Sequence, residues 1–266
     1  MEEEMETWSV RARNLPEHAA NPIHTDEGGR AAGFDAALVA GVTVYAYVTR
    51  PIVEAWGVDW LSRGLAEIEF TSPVLDDDPV DCVPETVDGG VEVRAMVGGD
   101  SRARLVAMPV ADDDGPSTRP LHQPLEPQVE ALVGEWDGYG LRTGDDLGLY
   151  SEAGIVHPAV WPALANSVVK RNLVEGPWVH TRSRIRHHGT AQVGATALVE
   201  AVVVDRFETR SGSRAVLDIR ISVDGELVAS LEHEALVSLH PQRRPSPEAD
   251  RPALSRSGLA HRPPGC

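Results

Sequence analysis

The stretch Asn21-Pro-Ile-His-Thr-Asp-Glu-Gly-Gly-Arg-Ala-Ala-Gly-Phe-Asp35, with the apolar run that follows it to Trp56, decides how this chain folds. Its proline and three glycines mark turns. From Leu38 to Trp56 the apolar residues recur at helical spacings and cover nearly all sides of the helix. This pattern is typical of a helix wrapped by a sheet. Pro51 predicts a kink in that helix or its division in two.

Segments with strand-like patterns follow the helix, separated by the glycine-containing turns Asp88-Gly-Gly and Gly98-Gly-Asp. A buried helix followed by an antiparallel meander is an α+β unit. The predicted strands of the first half are 60–70, 79–87, 91–97 and 102–110.

The second half repeats this order with little sequence identity. A shorter helix begins near His157-Pro158, which is interpreted as a helix start rather than a ligand contact. Trp60 and Trp178 are each predicted to begin the first long strand of their half, and Asp224-Gly225 is typical of a type I′ turn. Two such units are expected to pair their edges into one continuous sheet. The predicted strands of the second half are 178–185, 197–204, 215–223 and 227–239.

The domain organisation follows from these patterns. We expect an N-terminal domain over 1–115, a linker over 116–128, and a C-terminal domain over 129–240. Residues 241–266 are rich in Pro and Arg and poor in large apolar residues, so a disordered tail is predicted there.

Composition limits the functional classes. A formal charge of −17 over 266 residues opposes a nucleic-acid partner. The longest uncharged apolar stretch, 36–48, is too short to span a bilayer, and the acidic N-terminus argues against a secretory signal. With only two cysteines and no His/Asp/Glu cluster at metal-ligand spacing, neither a disulfide framework nor a metal is expected. A cytoplasmic protein without membrane contact is predicted.

Three short motifs carry a family resemblance: Asn21-Pro-Ile-His-Thr-Asp26, Ala31-Ala-Gly-Phe34 and Leu38-Val-Ala-Gly41. Together they resemble the hydratase motif of MaoC-like dehydratases and (R)-specific enoyl-CoA hydratases. The resemblance implies an α+β fold, a tandem (double) hot-dog in which each half is a central helix wrapped by an antiparallel sheet. It also implies an acyl-CoA or acyl-carrier-protein thioester as substrate, with an active N-terminal half and a degenerate C-terminal half that widens the pocket.

The family motif, Asp-x-Asn-Pro-x-His, assigns catalytic positions to His24 and Asn21. In the family the aspartate and histidine hold the water that adds to a trans-2-enoyl thioester. The aspartate position falls on Ala19, which has no proton-accepting side chain. Among the neighbours Glu17, His18 and Asp26, His18 is the first choice as a substitute.

The resemblance also suggests substrate-binding positions. In the family, the amide of the glycine that begins the central helix holds the thioester carbonyl, and this glycine matches Gly41. Free N–H groups at a helix N-terminus favour negative charge on an enolate oxygen. Ala40 stands where hydratases often carry histidine, and Asp26 is assigned to the same substrate-binding group.

Three functions are consistent with these residues: an enoyl-thioester hydratase or dehydratase, a non-catalytic acyl-thioester-binding protein or partner subunit, and a hot-dog thioesterase. A Ser-His-Asp hydrolase is unsupported because there is no G-x-S-x-G motif. The G-x-G-x-x-G motif of a dinucleotide site is also absent, so no redox cofactor is implied, and no cofactor of any kind is expected. A homodimer is a possible assembly.

Overall fold

One antiparallel sheet is the framework of the molecule, whose computed structural model describes residues 5–110 and 123–239. The strands are β1 (Trp8–Arg11), β2 (Leu65–Phe70), β3 (Pro79–Val87), β4 (Gly90–Val97), β5 (Asp100–Met108), β6 (Gln128–Ala131), β7 (Val179–His187), β8 (Thr196–Thr209), β9 (Gly212–Val223) and β10 (Glu226–Leu239). The helices are α1 (Asp26–Ala31), α2 (Gly41–Arg63), α3 (Tyr139–Thr143), α4 (Leu149–Ala153) and α5 (Val160–Asn172). Within the described part the strand order is β1-β3-β4-β5-β2-β7-β10-β9-β8-β6.

The two halves of the chain are joined by the pairing of β2 with β7. This antiparallel ladder runs from Leu65 opposite Arg186 to Glu69 opposite Arg182. Two polar side chains reinforce it at the surface, where Arg184 Nε lies 2.9 Å from Glu67 Oε1. Because both side chains are about half exposed, the ladder itself is the main connection. The predicted edge-to-edge joining of two helix-plus-sheet units is thus confirmed.

Helix α2 is the core of the first half. Apolar residues cover it on all sides, and it accordingly packs against β4 and β5 of its own half and against β7 and α5 of the other. The predicted break at Pro51 is not found. The non-helical residue within the helix is instead Gly57, with φ 61° and ψ −152°, a conformation that glycine adopts readily because it has no Cβ.

The prediction that Trp60 begins the first long strand is wrong. Trp60 lies in the last turns of α2, and β2 begins only at Leu65. Its buried indole donates from Nε1 to the Met108 carbonyl at 3.1 Å and packs on Gly64, where a Cβ would lie 2.2 Å from the ring. Tertiary packing therefore overrides the local strand pattern at this position.

The other predicted strands are present with small shifts of their ends. Asp224 and Gly225 have positive φ values of 52° and 84°, as the type I′ turn between β9 and β10 requires. The sequence patterns missed β1 and β6, which have four residues each, and the outer part of β8 after residue 204, where consecutive charged residues hide the alternation.

The predicted domain boundaries fall partly outside the described residues. This applies to positions 1–4, to 111–122 with most of the predicted linker, and to 240–266 with the predicted tail. Of the linker, 123–128 is described, and Gln128 is already the first residue of β6. No helix in the described part is long and apolar enough to cross a membrane.

His187, the last residue of β7, is a histidine in the core. It is 1% exposed, and its ring stands edge-on to Trp60 with 4.8 Å between the centroids. Neither ring nitrogen has a hydrogen-bond partner among the described residues. Burial, followed by repulsion from His188, lowers the pKa of His187 to about 3.

Replacing His187 with leucine should make the protein more resistant to acid. Below pH 6.5 the unfolded chain gains a proton at this position that the folded chain does not accept, so the free energy of unfolding falls as the pH falls. At pH 5 this one histidine lowers it by about 2 kcal/mol. Urea unfolding at pH 8 and pH 5 should show His187→Leu gaining on the wild type by that amount between the two conditions. His188→Leu is the control, because His188 is only half-buried. Equal pH dependence of wild type and His187→Leu would contradict this account.

Candidate active site

A cavity of about 920 Å³ lies between the two halves. The first half contributes the loop before α1, the beginning of α2 and the end of β2. The second half contributes one face of α5, the beginning of β7 and the turn between β8 and β9. Both halves therefore supply side chains to one space large enough for a small-molecule ligand.

His24 lines this cavity at the end of the 3-10 turn Pro22–His24. Its Nδ1 lies 2.7 Å from the Leu38 carbonyl oxygen. A carbonyl oxygen only accepts, so Nδ1 carries the proton and the neutral ring has its unshared pair on Nε2. Burial lowers the pKa of His24, and the hydrogen bond to Leu38 opposes this. Near neutral pH the ring is therefore uncharged, with Nε2 able to accept a proton.

His18 lies next to His24 in the cavity, with 6.0 Å between the ring centroids. Its Nε2 is 3.2 Å from Tyr139 Oη and 3.4 Å from Thr43 Oγ1, and these two oxygens are 3.2 Å apart. Burial and then repulsion from His24 lower the pKa of His18 to about 4, while Glu17 opposes the shift. The first half thus holds two neutral imidazoles side by side, one of them bonded to a tyrosine of the second half.

Ala19, which stands at the family's aspartate position, is exposed and does not line the cavity. The residues on either side of it, His18 and Ala20, do. The 3-10 turn Pro16–Ala20 therefore presents the histidine, not residue 19, to the cavity.

Asn21 connects the motif to the second half. Its side chain is buried and donates from Nδ2 to the Trp178 carbonyl, which directly precedes β7, at 2.9 Å. Its Oδ1 has no hydrogen-bond partner in the part of the chain that the structure describes. Asn21 therefore fixes the loop across the junction and leaves one acceptor unused.

The beginning of α2 also lines the cavity. The Ala40 carbonyl accepts from Thr43 N at 2.9 Å and Val44 N at 3.1 Å, so the first amides of the helix, those of Gly41 and Val42, have no partner within it. Only the backbone of Ala40 can form polar contacts, because its side chain has no polar atom. These amides favour a partial negative charge placed beside them.

Asp26, assigned from the sequence to substrate binding, is not among the cavity-lining residues. One carboxylate oxygen accepts from Ala37 N and the other from Arg30, both at 3.1 Å. Its role in the structure is to fasten α1 to the loop before α2. His157 is also outside the cavity lining and accepts from Ala159 N at 3.1 Å, which agrees with its interpretation as a helix start.

Sequence reasoning missed the cavity residues of the second half, because no local motif marks them. They include two cations, Lys170 on α5 and Arg210 in the turn between β8 and β9. In the described part of the chain neither cation forms an ion pair or a hydrogen bond. Burial, followed by repulsion from Glu17 and Glu130, raises the pKa of Glu135, and Lys170 is close enough to oppose that shift. The only sequence signal was that Lys170 is the sole lysine in an acidic chain. The buried His180 on β7 lines the cavity as well.

Solved structures share this architecture. A conserved hypothetical protein from Mycobacterium tuberculosis with a double hot-dog fold has a TM-score of 0.57 and 11% identity, covering 88% of this chain and 96% of that one. A proposed oleoyl thioesterase from Lactobacillus plantarum has a TM-score of 0.55 and 11% identity (90% and 99% covered). A proposed MaoC domain dehydratase from Chloroflexus aurantiacus has a TM-score of 0.55 and 12% identity (89% and 95% covered).

The chain therefore has an α+β double hot-dog fold, as the sequence motifs predicted. Proteins with this fold, as their names describe them, include both dehydratases and thioesterases. No protein-family model and no curated protein sequence matches the chain. Identities of 11–12% show the fold alone, so the function has to be argued from the site.

The geometry of the two histidines predicts their titration. In ¹H–¹⁵N spectra of labelled protein, His24 should be the Nδ1-protonated tautomer at pH 7, and His18 should titrate near pH 4. Replacing His24 with alanine removes the repulsion and should raise the pKa of His18, which stays below 6.5 because burial is the larger cause. His188→Ala, a change outside the cavity lining, should leave His18 unchanged. A wild-type midpoint for His18 near 6.5 would contradict the structure.

Proposed function

We propose that this protein is an acyl-thioester hydratase or dehydratase that reversibly adds water to a trans-2-enoyl-CoA. The observation that carries the proposal is the pairing, in one cavity, of an unprotonated His24 Nε2 with the free amides at the beginning of α2. The first is a base for water, and the second is a binding site for a thioester oxygen that becomes negative during the reaction.

The reaction assigns each group a step. A water molecule gives a proton to His24 Nε2 while its oxygen bonds to C3 of the substrate, and the C2=C3 electron pair moves toward the thioester. The charge that develops on the thioester oxygen lies beside the Gly41 amide. The imidazolium of His24 then returns the proton to C2, so atoms and charge balance. His18, held by Tyr139 and Thr43, is the proposed second contact for the water, in place of the family's aspartate.

The two unpaired cations support CoA as the carrier. Lys170 and Arg210 line the cavity, whereas many arginines of this acidic protein are paired with carboxylates, among them Arg63 with Asp59. The phosphates of CoA need local positive charge to approach a chain with a formal charge of −17. We propose that Lys170 and Arg210 bind the phosphates of the ligand.

Two other functions use the same cavity. A thioesterase would direct the water held by His24 to the thioester carbonyl instead of C3, and the similarity to the proposed oleoyl thioesterase is as high as that to the proposed dehydratase. A non-catalytic acyl-binding protein would keep the cavity without turnover, and the loss of the aspartate at position 19 favours that alternative. The products distinguish the three functions.

Mixing the protein with crotonyl-CoA or a longer trans-2-enoyl-CoA should reduce the enoyl-thioester absorbance without releasing thiol. His24→Ala should lower this rate by about 10²- to 10⁴-fold, the usual contribution of a positioned base. Ala19→Asp is the matched control: because residue 19 does not line the cavity, restoring the family aspartate should change the rate little. Release of free thiol would instead show that the protein is a thioesterase. Binding of CoA ligands without turnover would leave the acyl-binding function.

The carrier assignment can be tested with the variant Lys170→Gln/Arg210→Gln. Loss of both cations should raise KM for the enoyl-CoA by roughly tenfold at low salt, with kcat nearly unchanged, and the difference should shrink as salt is added. The matching enoyl-pantetheine, which has no phosphate, should show no difference between variant and wild type. Arg171→Gln is the control, because Arg171 is exposed but does not line the cavity. An equal rise in KM for both substrates would place the phosphates elsewhere.

A further inference from the structure

Three buried polar side chains form a hydrogen-bonded chain beside the cavity, in the half that the family resemblance implies is degenerate. His180 Nε2 lies 2.8 Å from Ser183 Oγ, and Ser183 Oγ lies 2.8 Å from His233 Nδ1. The two histidine rings are in contact, tilted by 31° with 4.3 Å between their centroids. At 6%, 1% and 0% exposure, the three side chains of His180, Ser183 and His233 are almost wholly withdrawn from water. Burying so many polar atoms is costly, which calls for a reason beyond packing.

One end of this chain meets the beginning of α2. His180 lines the cavity, and its Nδ1 has no hydrogen-bond partner among residues 5–110 and 123–239. A Cβ placed on Gly41 would lie 3.4 Å from this nitrogen. An unpartnered ring nitrogen of the second half is therefore next to the free helix amides of the first half.

The protons of the chain can be assigned. Burial lowers the pKa of His180 to about 3, although the backbone of Arg182 opposes the shift. Burial, followed by repulsion from His180, lowers the pKa of His233 well below its ordinary value, so each ring is neutral and has one N–H. If Ser183 donates to His233, the unpaired N–H is at His233 Nε2, which is fully buried and has no partner. If His233 donates to Ser183 and Ser183 to His180, the unpaired N–H is at His180 Nδ1. If both rings donate to Ser183, its hydroxyl proton has no acceptor among the contacts of the described residues. Only the second arrangement directs the unused donor to the cavity.

We propose that His180 is a second hydrogen-bond donor to the thioester carbonyl, beside the Gly41 amide, and that Ser183 and His233 hold it in the donor form. The inference rests on the proposed function and extends it: the second half supplies a group that acts on the substrate, not merely a wall. An acceptor oxygen at this point satisfies the last unpaired donor of the chain, so ligand binding selects the arrangement in which Nδ1 is protonated.

The Phe70 side chain is the part that must move for this contact. Its ring stands edge-on to His180, 4.8 Å between centroids, and its tip would lie 3.2 Å from a Cβ on Gly41. Phe70 thus occupies the place of the ligand carbonyl in the free protein. It is the last residue of β2, lines the cavity and is only half-buried, so a change of its side-chain rotamer uncovers Nδ1 without moving the backbone.

The test uses a butyryl-CoA analogue in which a methylene replaces the thioester sulfur and the carbonyl carbon is ¹³C. This ketone is neither hydrated at C3 nor hydrolysed, and hydrogen-bond donors move its ¹³C resonance downfield. On binding to the wild type, the resonance should move downfield. His180→Phe should lose a large part of that movement and lower kcat for enoyl-CoA hydration by about 10²-fold, as loss of one oxyanion donor does elsewhere.

Further variants separate a hydrogen bond to the ligand from a structural role. His180→Asn places an amide N–H near the former Nδ1 and should restore part of the ¹³C shift. Ser183→Ala frees the tautomer of His180 and should give an intermediate loss. His188→Phe is the control, because His188 is close to β7 in sequence, bonds to Ser230 and does not line the cavity.

The outcomes are distinct. An unchanged ¹³C shift in folded His180→Phe, with hydration by the wild type intact, overturns the role of His180 and leaves the proposed function standing. Lower thermal stability of His180→Phe and His180→Asn with the wild-type ¹³C shift makes the cluster purely structural and likewise overturns it. An analogue that does not bind the wild type, together with no turnover of enoyl-CoA, overturns both proposals.

Discussion

The pairing of β2 with β7 is the constraint on which the site depends. That ladder makes one sheet from two halves and brings the beginning of α2 against the first residues of β7. Because of it, Asn21 can donate to the Trp178 carbonyl, and His180 can lie beside Gly41. Neither half alone encloses the cavity, because residues of both halves line it.

Removal of histidine side chains from water is the second constraint on the site, because it lowers their pKa values. His18, His24, His180, His187 and His233 all have pKa values below the ordinary range, with burial as the largest cause in each case. A neutral imidazole has one donor and one acceptor, and its hydrogen-bond partners decide which nitrogen is which. The fold thereby assigns opposite functions to similar groups: the Leu38 carbonyl makes His24 Nε2 an acceptor, while Ser183 and His233 make His180 Nδ1 a donor in the proposed complex.

The structure alters the interpretation of Ala19, which stands at the family's aspartate position. Position 19 is exposed, and the turn that carries it presents His18 to the cavity beside His24. Tyr139 of the second half contacts this histidine, so the altered motif is matched by a residue more than a hundred positions away. Under the proposed function, His18 with its partner Tyr139 takes the place of the family's aspartate, so the motif at Ala19 is altered rather than lost.

The sequence by itself determined the elements and the local motif. The all-round apolar pattern of α2, the alternation in most strands, the Asp224-Gly225 turn and the position of His24 depend on near neighbours in the chain, which a sequence shows directly. It failed at Trp60, whose helical conformation depends on packing against Gly64 and Met108. The carboxylate of Asp26, expected from the sequence to bind substrate, bonds to Ala37 and Arg30 and does not line the cavity. Only the tertiary structure decided which residues of the second half enter the site. His180, Lys170 and Arg210 have no motif around them, and their places result from a strand pairing between residues more than a hundred positions apart.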